Sequence, residues 1–174
     1  MGDPEPIHEL SLKRFADDYY GLFKIVEETL CRRYHLGFGV PVTVARFPLI
    51  WMPEDLASGK GRIDADRTRI TRQLDVTGRP LVRHDAHIDD VVQCVLLTLR
   101  KDEAVGDDFT FAAPAAPASD AVAEAIRRHV DLPIEDRATD WHSWQLDCTK
   151  ARSILGYRPR VDLIDAMERA LGAL

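Results

Sequence analysis

Tyr20 and Lys24 are the residues whose types and spacing most directly suggest chemistry. Four positions apart on a helix, two side chains share a face, so a phenol and an ammonium group can address one site. A phenol with an ordinary pKa of about 10 transfers protons poorly at neutral pH, and a neighbouring positive charge favours its phenolate. Tyr-x-x-x-Lys is therefore a sensible acid–base pair, although this spacing also arises readily by chance. A second cluster runs Arg83-His-Asp-Ala-His-Ile-Asp-Asp90. Its His84, His87, Asp85, Asp89 and Asp90 lack the ligand spacing of a closed metal site, so no metal is expected. Asp89 or Asp90 suits the N-cap of the apolar segment that follows. Trp141 and Trp144 flank His142 at a spacing that fits packing better than a stacking platform.

The elements that must position these residues follow from periodicity. Residues 1–18 read as an irregular, charged lead-in bearing Pro4 and Pro6. From Tyr19 to Leu36 the pattern is helical, with a stripe of Leu22, Val26 and Leu30 widened by Phe23, Ile25 and Cys31, which predicts burial on more than one side. Gly37 and Gly39 end it, and the β-branched run 40–47 predicts a buried strand. Residues 53–66, polar and glycine-bearing, predict a surface loop, 67–75 a short helix, and 81–83 a brief strand. A helix over 91–100 carries Val92, Val95, Leu96 and Leu99 on one side, and 109–113 is a further strand. Ser119 caps a helix bearing Val122, Ala125, Ile126 and Val130. Residues 143–147 are expected to be extended. Thr149 to Leu155 is a short helix stopped by Gly156, and Asp162 opens the last helix.

Alternating helices and strands predict an α/β chain. Its 174 residues suit one domain, and 45% apolar with 30% charged residues is an ordinary globular composition. A formal charge of -6 argues against nucleic acid and against an anionic membrane surface. No apolar run of about 18 residues is present, so no membrane span is expected. The start of the chain lacks the features of a signal peptide. Cys31, Cys94 and Cys148 form neither a disulfide framework nor a zinc pattern, and a reduced, cytoplasmic protein is the expectation.

Four ordered segments carry a family resemblance. Tyr20-Gly-Leu-Phe-Lys-Ile-Val-Glu-Glu28 resembles the YGxSK(L/V)xxE helix of the extended short-chain dehydrogenase/reductases of the NAD-dependent epimerase/dehydratase kind. Val42 to Phe47 is similar to the strand leading into that family's Arg-Pro-x-Asn-Val-Tyr-Gly-Pro segment. Arg83 to Val91 resembles its RDxxHVxDV motif, with His87 at the family histidine, and Asp147 to Pro159 resembles its DxSKArxxLGwxP signature. The likeness runs over nearly the whole chain but covers only the C-terminal half of the family. It implies a partial Rossmann-like, doubly wound fold with the small mixed substrate-binding portion of these enzymes, in a single compact unit over 1–174. Residues 19–50 and 87–113 would be the remnant of the Rossmann-like layer, and 53–80 and 114–174 the substrate-binding portion.

By that resemblance Tyr20 is the catalytic acid–base residue, and Lys24 lowers its pKa and binds the nicotinamide ribose. Arg83 takes the place of the arginine that grips a nucleotide-sugar diphosphate, a task its planar fork suits. Leu49 stands where the family has a substrate-contacting Asn. Met52 replaces a Gly, Phe23 a small residue, and Asp85-Ala86 an aromatic–aliphatic pair. NAD or NADP is the implied cofactor. Yet the ten glycines form no GxxGxxG, no GxGxxG after a strand and no P-loop, so this chain alone is not expected to bind it. The upstream catalytic Ser/Thr is missing as well. The expected function is the substrate-binding and acid/base half of an NAD(P)-dependent epimerase, dehydratase or reductase. Its substrate is a nucleotide-sugar or related small polar molecule, and it needs a nucleotide-binding half. The alternative is a cofactor-free remnant serving as a binding or assembly module or a non-redox catalyst, or a truncated product. An uncovered strand edge and apolar helix faces predict a homo-oligomer or docking on a nucleotide-binding chain.

Overall fold

Three parallel strand pairs tie distant stretches of sequence together, and the helices are the crossovers between them. The computed structural model describes residues 5–11 and 19–173. The rest of the expected lead-in lies outside the described residues. Helix α1 (Tyr19–Phe38) runs into β1 (Val44–Arg46) and β2 (Ile50–Trp51), then α2 (Pro53–Ser58) and β3 (Ile70–Leu74). After these come β4 (Ala86–His87), α3 (Ile88–Arg100), β5 (Asp108–Thr110), α4 (Ser119–Arg127), β6 (Ile134–Ala138) and α5 (Leu163–Gly172). β1 pairs with β5, β2 with β4 and β3 with β6, each as a two-stranded parallel sheet. Parallel pairs joined by helical crossovers define an α/β fold.

Two apolar cores form. One gathers Trp51, Leu56 and Ile70 with Val122 and Ile126 of α4 and Leu163, Met167 and Leu171 of α5. The other packs Phe109, Phe111, Cys94, Leu155 and Tyr157 behind β1 and β5. Tyr157 is fully buried, its hydroxyl donates to the Ala112 carbonyl at 2.7 Å, and Phe111 meets it edge-on with centroids 5.1 Å apart. Between the cores, the buried carboxylate of Asp90 accepts the Arg160 and Val161 amides at 2.9 and 3.1 Å. That ties the first turn of α3 to the segment entering α5, where Asp162 caps the helix as expected by accepting from the Ile164 and Asp165 amides.

Several expectations are corrected. α1 forms, but its stripe of Leu22, Val26 and Leu30 faces outward, and the helix has no buried residue. The face turned to the rest of the chain is instead Gly21, Ile25, Glu28, Cys31 and His35, all half-buried. Glu28 meets Arg46 at 2.9 Å and Arg32 meets Asp108 at 3.1 Å, so this helix docks through ion pairs. The expected strand over 40–47 contracts to β1. In α3 the expected apolar side (Val92, Val95, Leu96, Leu99) is also exposed, while Val91, Cys94 and Asp90 turn inward. His87 caps α3, its Nδ1 accepting from the Asp89 amide at 3.2 Å, so neither aspartate does so.

Residues 67–75 are not a helix: β3 occupies 70–74 because β6 supplies a parallel partner and cross-strand charges. Arg72 holds Asp136 at 2.5 Å and Arg69 holds Glu135 at 2.7 Å. The expected loop 53–66 opens with α2, which Pro53 starts and Gly59 stops at φ 63°. The strand expected at 81–83 is reduced to isolated bridges, Val82 to Ala118 and Arg83 to Trp144. Ser119 does not cap α4; Ala118 holds that position and the Ser119 hydroxyl donates to the Gln73 carbonyl.

Candidate functional site

A cavity of about 680 Å³ opens between β2, the turn after α2, β3 and β6. Its lining includes Leu49, Trp51, Arg62, Arg83, Arg137 and Trp141. Each is placed by local backbone logic. Leu49 precedes β2, and Trp51 is buried in β2 with its indole N–H donating to Asp85 at 2.9 Å. Gly59 adopts a left-handed conformation, and a Cβ there would lie 2.6 Å from Ile63 Cδ1, so this tight turn favours glycine. That turn carries Arg62, whose amide donates to the Gly59 carbonyl at 2.8 Å and whose carbonyl accepts from Thr71 at 2.6 Å. Arg137 sits on β6 in register with Gln73 of β3.

The electrostatics of the three guanidinium groups differ. Arg83 donates through Nε and Nη2 to the Asp85 carboxylate at 2.9–3.1 Å, and lies 5.9 Å from the Trp141 ring centroid. Asp85, buried, thus holds both Arg83 and Trp51. Arg62 is only 7% exposed, donates through Nη1 to the Gln73 side-chain oxygen, and among the described residues its Nε has no hydrogen-bond partner. Burial, reinforced by the positive charge of Arg83 and opposed by Asp85, pulls its pKa down to about 10, still fully cationic at neutral pH. At the rim, Lys60 pairs with Asp55 at 2.7 Å. The arrangement is a cationic, aromatic-sided pocket of a size that suits a small-molecule ligand.

The structure brings two of the sequence-derived candidates, Leu49 and Arg83, into this cavity. It does not place Tyr20 and Lys24 in its lining. Tyr20 is 72% exposed on α1, with the Lys24 ammonium 5.5 Å from its ring centroid. Lys24 also pairs with Glu27 at 2.8 Å, and that hydrogen bond raises its pKa, keeping it protonated. The two groups do share a helix face, as their spacing requires. Arg62, Arg137 and Trp51 were missed as site residues. Arg62 lies in a segment whose polarity reads as loop, and Arg137 in a charged run with no strand signature.

A second cavity, about 320 Å³, lies at the C-terminal ends of β1 and β5, lined by Phe47, Arg46, Thr110 and Trp144 among others. Strand C-termini are where ligands sit in open α/β sheets. Among the described residues no glycine-rich turn leads from a strand into a helix, so those residues do not fit a dinucleotide pyrophosphate. The Cys94 and Cys148 thiols are pushed up to about 12 and 11 by burial and stay protonated. No group of three or more His, Cys, Asp or Glu that could hold a metal occurs among the described residues. Nor is any helix there long and apolar enough to cross a membrane.

Parallel strand pairs with helical crossovers and a ligand-sized cavity beside them place the chain in the doubly wound α/β class. A curated relative, an uncharacterized UDP-glucose epimerase of Bacillus subtilis, is 24% identical over 168 residues, covering 89% of this chain and 51% of the relative. Among solved structures, a short-chain dehydrogenase/reductase superfamily protein of Agrobacterium tumefaciens with bound NAD superposes with a TM-score of 0.87 at 20% identity. That match covers 97% of this chain and 61% of the other. The UDP-glucuronic acid 4-epimerase of Bacillus cereus, in complex with UDP-glucuronic acid and NAD, gives 0.76 at 18% identity, over 98% and 57%. The dTDP-glucose 4,6-dehydratase of Bacillus anthracis in complex with NAD gives 0.77 at 17%, over 99% and 56%. No family model matches. The chain has the fold of the extended short-chain dehydrogenase/reductases of the NAD-dependent epimerase/dehydratase kind, and it spans about half the length of the curated relative it matches.

Proposed function

We propose that this chain is the substrate-binding and acid/base half of an NAD(P)-dependent epimerase, dehydratase or reductase acting on a nucleotide-sugar. The observation that carries the reading is the cavity in which Arg83, at its motif position, meets Arg62, Arg137, Leu49 and the Trp51 indole. Guanidinium groups suit a diphosphate, and the sugar lies toward Leu49, whose apolar side chain removes the hydrogen bond an Asn would make. Tyr20 takes or gives the proton, with Lys24 beside it supplying positive charge, once α1 is covered by a nucleotide-binding half. That half contributes the cofactor, which supplies hydride transfer when bound. It comes from another chain or another stretch of polypeptide, and the exposed apolar faces of α1 and α3 are its docking surfaces or those of a second copy.

Titration of the chain with UDP-glucose is expected to show binding, and titration with NAD(H) or NADP(H) alone is expected to show none that is tight. Micromolar affinity for the dinucleotide alone would overturn this division of labour. With the complementary half present, Tyr20→Phe should abolish turnover and leave assembly intact; unchanged turnover removes Tyr20 from the acid–base role. Light scattering should give a species larger than 19.6 kDa, and a stable monomer of that mass counts against the association. A second reading, a cofactor-free binding module on the same fold, is favoured by the exposure of Tyr20 and the engagement of Lys24 by Glu27. Ligand binding without turnover in the completed assembly would select it.

A further inference from the structure

We propose that Arg62, rather than Arg83, is the residue that grips the anionic group of this cavity's ligand, and that the group is a diphosphate. The inference rests on the nucleotide-sugar reading above and deepens it. Three guanidinium groups border the cavity, and they are not equally available. Arg83 has spent its fork on Asp85, with both Nε and Nη2 donating to that carboxylate, so the pair presents no net charge. The carboxylate is itself anchored by the Trp51 indole, which fixes the pair in place.

Arg62 is the opposite case. It is buried and cationic, and among the described residues its side-chain partner is the neutral amide of Gln73 while its Nε has none. Burying a guanidinium without a counter-anion is strongly unfavourable, and an unmatched donor adds to the cost. The nearby carboxylate of Asp85 is committed to Arg83. An anion entering the cavity supplies the missing charge and hydrogen bonds. The depressed pKa of Arg62 reports the same shortage, since burial and the repulsion of Arg83 outweigh the attraction of Asp85. Arg137 stands across the β3–β6 ladder from Gln73, the residue that holds Arg62, so a second cation borders the same space. Arg62 and Arg137 together offer two cations to a diphosphate linkage, on a lining that also carries the Asp140 carboxylate. Gln73 is a positioning residue, fixing the Arg62 fork from one side.

Calorimetric titration of the full chain with inorganic pyrophosphate, UDP and uridine, paired with thermal melts, tests the assignment. Arg62→Met should weaken pyrophosphate and UDP binding at least about tenfold. Its melting temperature should hold or rise, because an unpaired buried charge has been removed. Arg83→Met should weaken binding less and lower the melting temperature, because it strands Asp85. Asp85→Asn should tighten pyrophosphate binding by releasing Arg83. If wild-type binds UDP but Arg62→Met binds it equally well, the Arg62 assignment fails and the nucleotide-sugar reading stands. If pyrophosphate binds in an Arg62-dependent way but UDP does not bind, the assignment stands and the nucleotide reading fails. Wild-type binding of neither overturns both.

Discussion

Helix α5 buries Leu163, Ala166, Met167 and Leu171 against α2 and α4, whereas α1, 20 residues long to its 10, buries none. Both have apolar residues at helical spacing. What separates them is the availability of a partner: α5 finds α4 and the Leu56 side of α2 within the chain, while α1 meets β1 and β5 through Glu28 and Arg32. Periodicity therefore reports that a face is apolar, not where its neighbour comes from. A helix gains most of its stability from what it packs against. On that basis the Leu56–Ile126–Met167 core carries the stability of the isolated chain, and the outer face of α1 is left for the association proposed above.

The contrast breaks most visibly if the packed region tolerates damage. Ile126→Ala or Leu56→Ala should cost about 2–5 kcal/mol in urea unfolding, the penalty of a cavity in a filled core. A loss below about 1 kcal/mol would show that this core is not where stability resides. Tyr157→Phe in the second core should cost about 1–3 kcal/mol, because the buried Ala112 carbonyl loses the hydroxyl donor.

A smaller effect is expected from pH. His84 is buried, its Nε2 donates to the Ala113 carbonyl at 2.8 Å, and its Nδ1 accepts from the Leu146 amide at 3.0 Å. A second proton would therefore meet a donor. Burial is the chief cause lowering its pKa below the ordinary 6.5, with Arg152 adding to it and Asp85 opposing. The folded state thus binds this proton less readily than the unfolded state. Its contribution is full above pH 6.5 and is lost as pH falls through the lower, folded value. Melting temperature should decline below pH 6.5, and His84→Gln should flatten that segment; an unaltered slope would place the titration elsewhere. The smallest change in stability should come from Val26→Ser or Leu30→Ser on α1, within about 0.5 kcal/mol. The same substitutions should reduce self-association in light scattering. A substantial loss of stability instead would mean the stripe is packed within the chain.

Much of this architecture was legible in the residues, and the misses have physical causes. α1, α4 and α5 followed from apolar spacing and punctuation: Asp162 caps α5, and Gly156 stops the turn before it at φ 70°. β3 read as helix because Thr71, Arg72 and Gln73 are polar, and what makes them a strand is a partner whose Glu135-Asp136-Arg137 has little β-propensity of its own. No local signal encodes that pairing. His87 was known as a motif residue but not as a cap, since its ring nitrogen does work usually given to Asp or Ser. In the site, Arg83 and Leu49 were found through motif position. Arg62 was missed because its meaning lies in burial, which depends on Gly59 folding the loop back over Ile63.

The parallel pairing also sets how this chain can come together in time. Val44 waits for Asp108, and Ile70 for Ile134, so no sheet can close as a local hairpin. Contacts so distant in sequence incur loop-closure entropy before they return any stabilisation, which slows folding. During synthesis, β1 emerges long before β5 exists to pair with it, beside the outward apolar face of α1. Through that interval the nascent chain exposes a strand edge and a greasy helix together, the combination that chaperones and aggregating neighbours recognise. The yield of folded protein in cells should therefore depend on translation rate and temperature more steeply than the equilibrium stability alone implies.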